Sequence, residues 1–179
     1  MDVLEAIKGR RSIRAFKKND VPNEMVEKLI DAARWAPSAG NIQPWEFILV
    51  RKPEIKRALA DAALDQTFIE EAPIVIVACA NENRSSQRYE LRGKNLYCIQ
   101  DTAAAIQNIL LTAYSLGLST CWIGAFREEE AREILKIPQG IRPVAIIPVG
   151  YPAEAPSPPS GRPINQIVHY ETFEVETFP

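Results

Sequence analysis

The sequence predicts an α+β fold in which a central mixed or antiparallel sheet packs around one long buried helix. Three observations carry that prediction. Two continuous apolar runs, IVIVACA at 74–80 and VAIIPVG at 144–150, have the composition of strands covered on both faces. The stretch LYCIQDTAAAIQNILLTAYSLG at 96–117 is apolar around most of its circumference, too apolar for a surface crossover. The segment from Tyr151 to Pro163 holds five prolines and must run extended, as an arm that cannot fold back as a helix. Such an arm is expected to reach across a partner subunit in a homodimer.

The remaining elements follow in chain order. Asp2 and Glu5 form a capping-box pattern that opens a short helix through Ile7, with Gly9 placed to stop it in a left-handed conformation. A second helix runs from Asn23 to about Trp35, with Met25, Val26, Leu29, Ile30 and Ala33 on one face, and Pro37 ends it. WEFILV (45–50) reads as a strand and PEIKRALADAAL (53–64) as the helix after it. Residues 81–95, NENRSSQRYELRGKN, are polar and charged and read as a surface loop or mobile segment. Gly117 suits the stop of the long helix. STCWIG (119–124) is a short strand, REEEAREILKI (127–137) an amphipathic helix, and INQIVHYETF a final strand-like piece.

Composition bounds the function. A chain of 179 residues suits a single domain, here taken as 1–179 with the arm from about 151. No apolar run is long enough to span a membrane, and the N-terminus does not read as a signal peptide. Three scattered cysteines (Cys79, Cys98, Cys121) suggest reduced, buried thiols and a cytoplasmic protein. One histidine, His169, leaves little material for a zinc site or a Ser-His-Asp triad, so no metal is expected. With a net charge of -2, bulk attraction to nucleic acid or membrane is not expected.

Four stretches could carry chemistry. GRRSIRAFKKND (9–20) gathers Arg10, Arg11, Arg14, Lys17 and Lys18 around Ser12. It could be a solvated basic face, a nucleic-acid patch or a phosphate site, since guanidinium forks grip phosphate oxygens and a hydroxyl adds a donor. In extended chain Arg10, Ser12 and Arg14 share one side, and Arg11 faces the other way, into an ion pair or a subunit boundary. In APSAGNIQPW (36–45), Asn41 and Gln43 present two amides toward one side, or simply belong to a turn after a helix. Gly124, after STCWI, lets backbone approach a planar ligand or ends a core strand. Arg162 stands alone after the proline run, where a surface role is the ordinary one.

GRRSIRAF, AARWAPSAGNIQPWEF, EAPIVIVACA, QDTAAAIQNILLTAYSLGLSTCWIGAF, PVGYP and GRPINQIVHYE, in that order from about residue 3 to about 173, resemble the nitroreductase family of FMN-dependent NAD(P)H oxidoreductases. The resemblance implies a homodimer with FMN at the subunit interface. Arg10, Arg11, Ser12 and Arg14 would hold the flavin phosphate, ribityl chain and pyrimidine edge, with Arg162 a further phosphate partner. Pro37, Ser38 and Ala39 would line the flavin from the neighbouring subunit, with Asn41 and Gln43 close by. Ile123 and Gly124 would pass over the ring, offering backbone N–H groups. Many members carry a second serine where this chain has Ala39, so a hydroxyl contact there is lost. Gln66 stands where some relatives place a polar flavin contact.

The resemblance further implies ping-pong exchange: hydride from NADH or NADPH, then an electron acceptor such as a nitroaromatic or quinone, with no catalytic side chain and with flavin N5 carrying the chemistry. Reductive dehalogenation, a biosynthetic oxidation, or flavin binding without turnover stay open beside it. His169 and the cysteines read as structural. Residues 81–95, with Arg84, Arg88, Tyr89, Arg92 and Lys94, could form a substrate lid or an ordinary solvated loop.

Overall fold

The sheet is built on β2 (Ile74–Asn81), the apolar run with both faces covered. In the computed structural model, which describes residues 1–173, the strand order is β1-β2-β4-β3 and every pairing is antiparallel. β1 is Trp45–Val50, β3 the two residues Ser119–Thr120, and β4 Ile141–Gly150. Ile76 pairs with Ile147 and Phe47 with Ala78. A register shift at Ala78/Cys79 sits where Pro143 joins the ladder.

Alternation along β2 divides the interior into two cores. Ile74, Ile76 and Ala78 face α2 (Asn23–Arg34) and α6 (Cys98–Ser115), where Val26, Leu29, Ile106, Ile109 and Ala113 are buried. Val75, Val77 and Cys79 face the other side, packed with Leu59 of α3 (Pro53–Ala62), Ile69 of α4 (Phe68–Glu71) and Ala131 of α7 (Glu128–Leu135). The expected α+β layout and the buried long helix are both present. All three cysteines are buried and unpaired, and burial pushes the Cys79 thiol up to about 12 and the Cys98 thiol up to about 11.

Three expectations need correction. Gly9 ends α1 (Val3–Gly9) without a left-handed turn, since the left-handed glycines are Gly40, Gly117 and Gly140. Its reason for being glycine is Tyr114, whose hydroxyl lies 2.2 Å from where a Cβ would stand. Residues 81–95 are not a loop: Glu82–Arg92 form α5, and a π turn at Gly93–Tyr97 carries the chain straight into α6. The helix has no apolar period because what it turns inward is small: Ser85 is its buried residue, packed against Gly93 of the turn that follows. The overlooked sequence signal is Asn81, whose Oδ1 accepts the Arg84 N–H at 2.9 Å as an N-cap. The strand-like piece at 164–173 contains a 3-10 turn at Ile164–Gln166 and no strand among the described residues.

A Cβ on Gly93 would stand 2.4 Å from the Ser85 carbonyl oxygen, which is backbone and cannot step aside. Gly93→Ala is therefore expected to unseat α5, at a cost of about 1–3 kcal/mol. Amide exchange across residues 82–92 checks it, with faster exchange expected there and little change in β2.

Candidate functional site

The RRSIR stretch is the outer border of the sheet. Ser12 bridges Thr120, the Ile13 N–H donates to the Thr120 carbonyl at 3.0 Å, and Phe16 bridges Pro152. Ile13 and Phe16 are buried, and this anchors the segment as extended chain. The period of extended chain puts Arg10, Ser12 and Arg14 on one side, and Ser12 and the charges of Arg14 and Arg10 bear on the Cys121 thiol. Burial pushes that thiol up, while the charges of Arg14 and Arg10 and a hydrogen bond from Ser12 hold it down. The Arg14 guanidinium lies 5.9 Å from the Phe68 ring centroid. Glu154 reaches in from the arm, and its Oε1 accepts the N–H groups of Arg14 and Ala15.

Arg11 lies apart from this group. Its Nη1 donates to the carbonyls of Lys8 at 2.7 Å and Arg10 at 2.8 Å, so of the two expectations, an ion pair or a subunit boundary, the ion pair is replaced by a cap on α1. With Gly9 and Ile13 it lines a separate cleft of about 260 Å³.

Ile123 also departs from expectation. Its N–H donates to the Ile146 carbonyl at 3.0 Å and is spent on the sheet, leaving none for a ring above it. Gly124 is exposed, and a Cβ there would meet nothing within 4 Å, so a planar group has room to approach. Gln66 Nε2 donates to the carbonyls of Ala63 at 2.7 Å and Ala125 at 3.2 Å, fastening the 63–66 turn beside Gly124. Arg162 is exposed on the arm, and its Nη2 donates to the Gln166 carbonyl; no hydrogen bond joins it to Arg10 or Arg14 among the described residues.

The other predicted group, Pro37, Ser38, Ala39, Asn41 and Gln43, occupies a 3-10 turn (Ala39–Asn41) leading into β1. Asn41 and Gln43 do share a side, since Gln43 Nε2 donates to Asn41 Oδ1 at 3.1 Å. Ser38 Oγ is engaged by the Gln43 N–H at 3.0 Å. The residue that sequence reasoning missed is Asp101 of α6, whose Oδ1 accepts the Ala39 N–H at 3.1 Å while the buried Oδ2 has no partner among the described residues. An acid inside an otherwise apolar helix was the available signal.

Burial pushes the Asp101 carboxyl above its ordinary value of 3.8, and the Ala39 N–H opposes this. The folded chain therefore holds an extra proton between the two values, and stability falls as pH rises through that window. Asp101→Asn removes the titration. It is expected to flatten thermal midpoint against pH above about 4, with stability at neutral pH no lower than the parent's.

These two groups sit at opposite corners of the sheet. Thr120 pairs with Val149 and Val149 with Ile74, whereas Trp45 pairs with Ala80 at the far end of β2. At about 3.3 Å per residue along β2, with three strand spacings across, the corners lie about 20 Å or more apart. One chain does not close a single pocket from both.

Fold and site together define a class: an α+β protein with an arginine-bearing corner at one end of its sheet and an amide-bearing turn at the other. A profile of the nitroreductase family matches residues 7–70 and 63–151. A Methanothermobacter thermautotrophicus protein provisionally named NADH dehydrogenase/NAD(P)H nitroreductase is 41% identical, over 87% of this chain and 80% of its own. The FMN reductase (NADPH) of Bacillus subtilis is 30% identical, over 98% of this chain and 76% of its own. Among solved structures, the NADPH:FMN oxidoreductase of Vibrio harveyi, complexed with NAD+, superimposes with a TM-score of 0.89 at 26% identity, covering 96% and 78% of the two chains. The chain belongs to the nitroreductase family.

Proposed function

We infer that this chain is an NAD(P)H-dependent FMN oxidoreductase that works as a homodimer and reduces a small oxidised acceptor, a nitroaromatic or a quinone. The observation that carries the reading is the extended RRSIR border, pinned by the Ser12–Thr120 and Phe16–Pro152 bridges, whose period of two puts Arg10, Ser12 and Arg14 on one side. Neither Arg10 nor Arg14 forms an ion pair among the described residues, so both charges remain for a ligand anion. Guanidinium groups with a hydroxyl suit a phosphate monoester, which fits the phosphate end of FMN. The open face at Gly124 fits a flat ring beside it, and Gln66 fastens the turn next to that face.

FMN supplies hydride transfer at its ring, so NAD(P)H and the acceptor can use one cavity in turn. The protein's part is to hold, orient and polarise. Cationic Arg10 and Arg14 favour negative charge on the bound group, and buried Ile123 keeps water from the sheet side. None of the thiols serves as a nucleophile in this reading, since burial holds each one protonated.

The dimer is supported by the separation of the two groups. The Pro37–Gln43 turn of a neighbouring subunit can meet the Arg10–Arg14 corner, whereas the turn of the same chain lies at the opposite corner. Apolar side chains without cover point the same way: Val3, Leu4 and Ile7 on α1, Trp35 beside the turn, and Ile164, Ile167 and Phe173 on the arm are all exposed. Among the described residues no helix is long and apolar enough to cross a membrane.

The test is the visible absorption of the purified protein, identification of the flavin released by heat, and rapid mixing with NAD(P)H. Bound FMN that bleaches with NADH or NADPH and recovers with a nitroaromatic or quinone is the expected result. A protein that takes up no FMN sinks the reading, and one whose FMN stays oxidised reduces it to a flavin carrier.

A further inference from the structure

The turn at 38–43 runs through the left-handed region at three of its six residues, and at Gln43 that conformation is disfavoured. Gly40, Asn41 and Gln43 have φ of 56°, 55° and 53°, in the left-handed region that only glycine enters freely. Contacts within the turn do not account for this alone. Asp101 takes the Ala39 N–H from the side of α6. From α5, Arg88 Nη1 donates to the Gly40 carbonyl at 3.2 Å and Arg84 Nη1 to the Gln43 carbonyl at 2.8 Å. Arg84 is itself fixed, its Nη2 paired with Glu46 Oε1 at 2.7 Å.

α5 bends where it meets the turn. Tyr89 and Glu90 leave helical geometry, Glu90 with φ of 48°. There the Tyr89 hydroxyl and Arg88 Nη1 close over Gly40, 2.6 Å and 2.8 Å from the place a Cβ would take. Two backbone segments away from their preferred conformations thus brace each other, an arrangement that persists only when the surroundings over-determine it.

We propose that Asp101 and Arg88 are positioning residues: they set the left-handed turn, and through it the face that Pro37, Ser38 and Ala39 offer to the flavin of the neighbouring subunit. This rests on the function proposed above and gives 81–97 a role other than a lid. Neither side chain touches the reacting atoms. Asp101 acts from a buried position on the longest helix, and its acceptor oxygen fixes where the Ala39 N–H points. Arg88 acts from the exposed side by fixing the next carbonyl.

Amide exchange on the flavin-free protein, paired with FMN titration of the same variants, tests this. Asp101→Ala and Arg88→Ala should each speed exchange at 39–43 and weaken FMN binding about tenfold, with exchange in β2 unchanged. Asp101→Asn keeps an oxygen acceptor for the Ala39 N–H and should stay near the parent in both readouts. If Asp101→Ala does not fold, the exposed Arg88→Ala carries the same test. Unchanged exchange at 39–43 overturns the clamp. Faster exchange with parental FMN affinity, or Asp101→Asn behaving like Asp101→Ala, overturns the positioning role. A parent that binds no FMN fails the proposed function itself, a result separate from any of these.

Discussion

Arg10→Ala and Arg14→Ala each weaken FMN binding by about one to two powers of ten, the expected result of removing one charged hydrogen-bonding group worth about 1.5–3 kcal/mol. Neither guanidinium has an acid partner among the described residues, so neither removal strands a buried carboxylate, and the fold should survive both. The double variant should fall short of the sum of the single effects, because both groups face one anion and their contributions couple. Quenching of flavin fluorescence on titration reads the affinities. Added salt should weaken the parent more than the double variant, since only the parent keeps both cations at the phosphate. Arg11→Ala is the informative contrast. Its guanidinium caps the C-terminal carbonyls of α1, so its removal should lower the thermal midpoint and affect FMN less than either neighbour does. Parental affinity in both Arg10→Ala and Arg14→Ala after extensive dialysis would place the phosphate elsewhere.

What could be read in the sequence divides along physical lines. β2 was legible because burial on both faces leaves an apolar run with nothing to confuse it, and α6 because apolar residues cover most of its circumference. Period-2 geometry was enough to separate Arg10, Ser12 and Arg14 from Arg11, because the segment is extended and pinned by Ile13 and Phe16. α5 was not legible, because a helix whose one buried residue is a serine has no hydrophobic period to detect. The partner of Arg11 was missed for a related reason: helix-end carbonyls accept a guanidinium without any acid appearing in the sequence. Ile123 shows a third limit. A backbone N–H is free or spent according to pairing across the sheet, and its bond to Ile146 spans residues that no local pattern connects. Asp101 shows a fourth, since its bond to Ala39 joins positions 62 residues apart.

Deletion of residues 156–179 should convert the protein to a monomer and abolish FMN binding while the folded core remains. The cut leaves Glu154 on the Arg14 and Ala15 amides and the Phe16–Pro152 bridge in place, so the sheet border keeps its geometry. It removes a stretch whose described residues contribute nothing to either hydrophobic core of its own chain. Through Ile167 the described part of this stretch is exposed residue after residue, Ile164 and Ile167 included. Chain of that composition gains stability only by burying those side chains against something, and the uncovered Val3, Leu4, Ile7 and Trp35 offer a surface on a second copy. Because the amide-bearing turn and the arginine corner lie at opposite ends of one sheet, losing the dimer would remove half of each flavin site even though every residue of both halves except Arg162 is still present. Light scattering coupled to size exclusion, followed by FMN titration, reads the two consequences separately. A shortened chain that stays dimeric rules out the arm as the main contact. A monomer that still holds FMN at parental affinity rules out a site shared between subunits, and the arginine corner would then bind the cofactor alone.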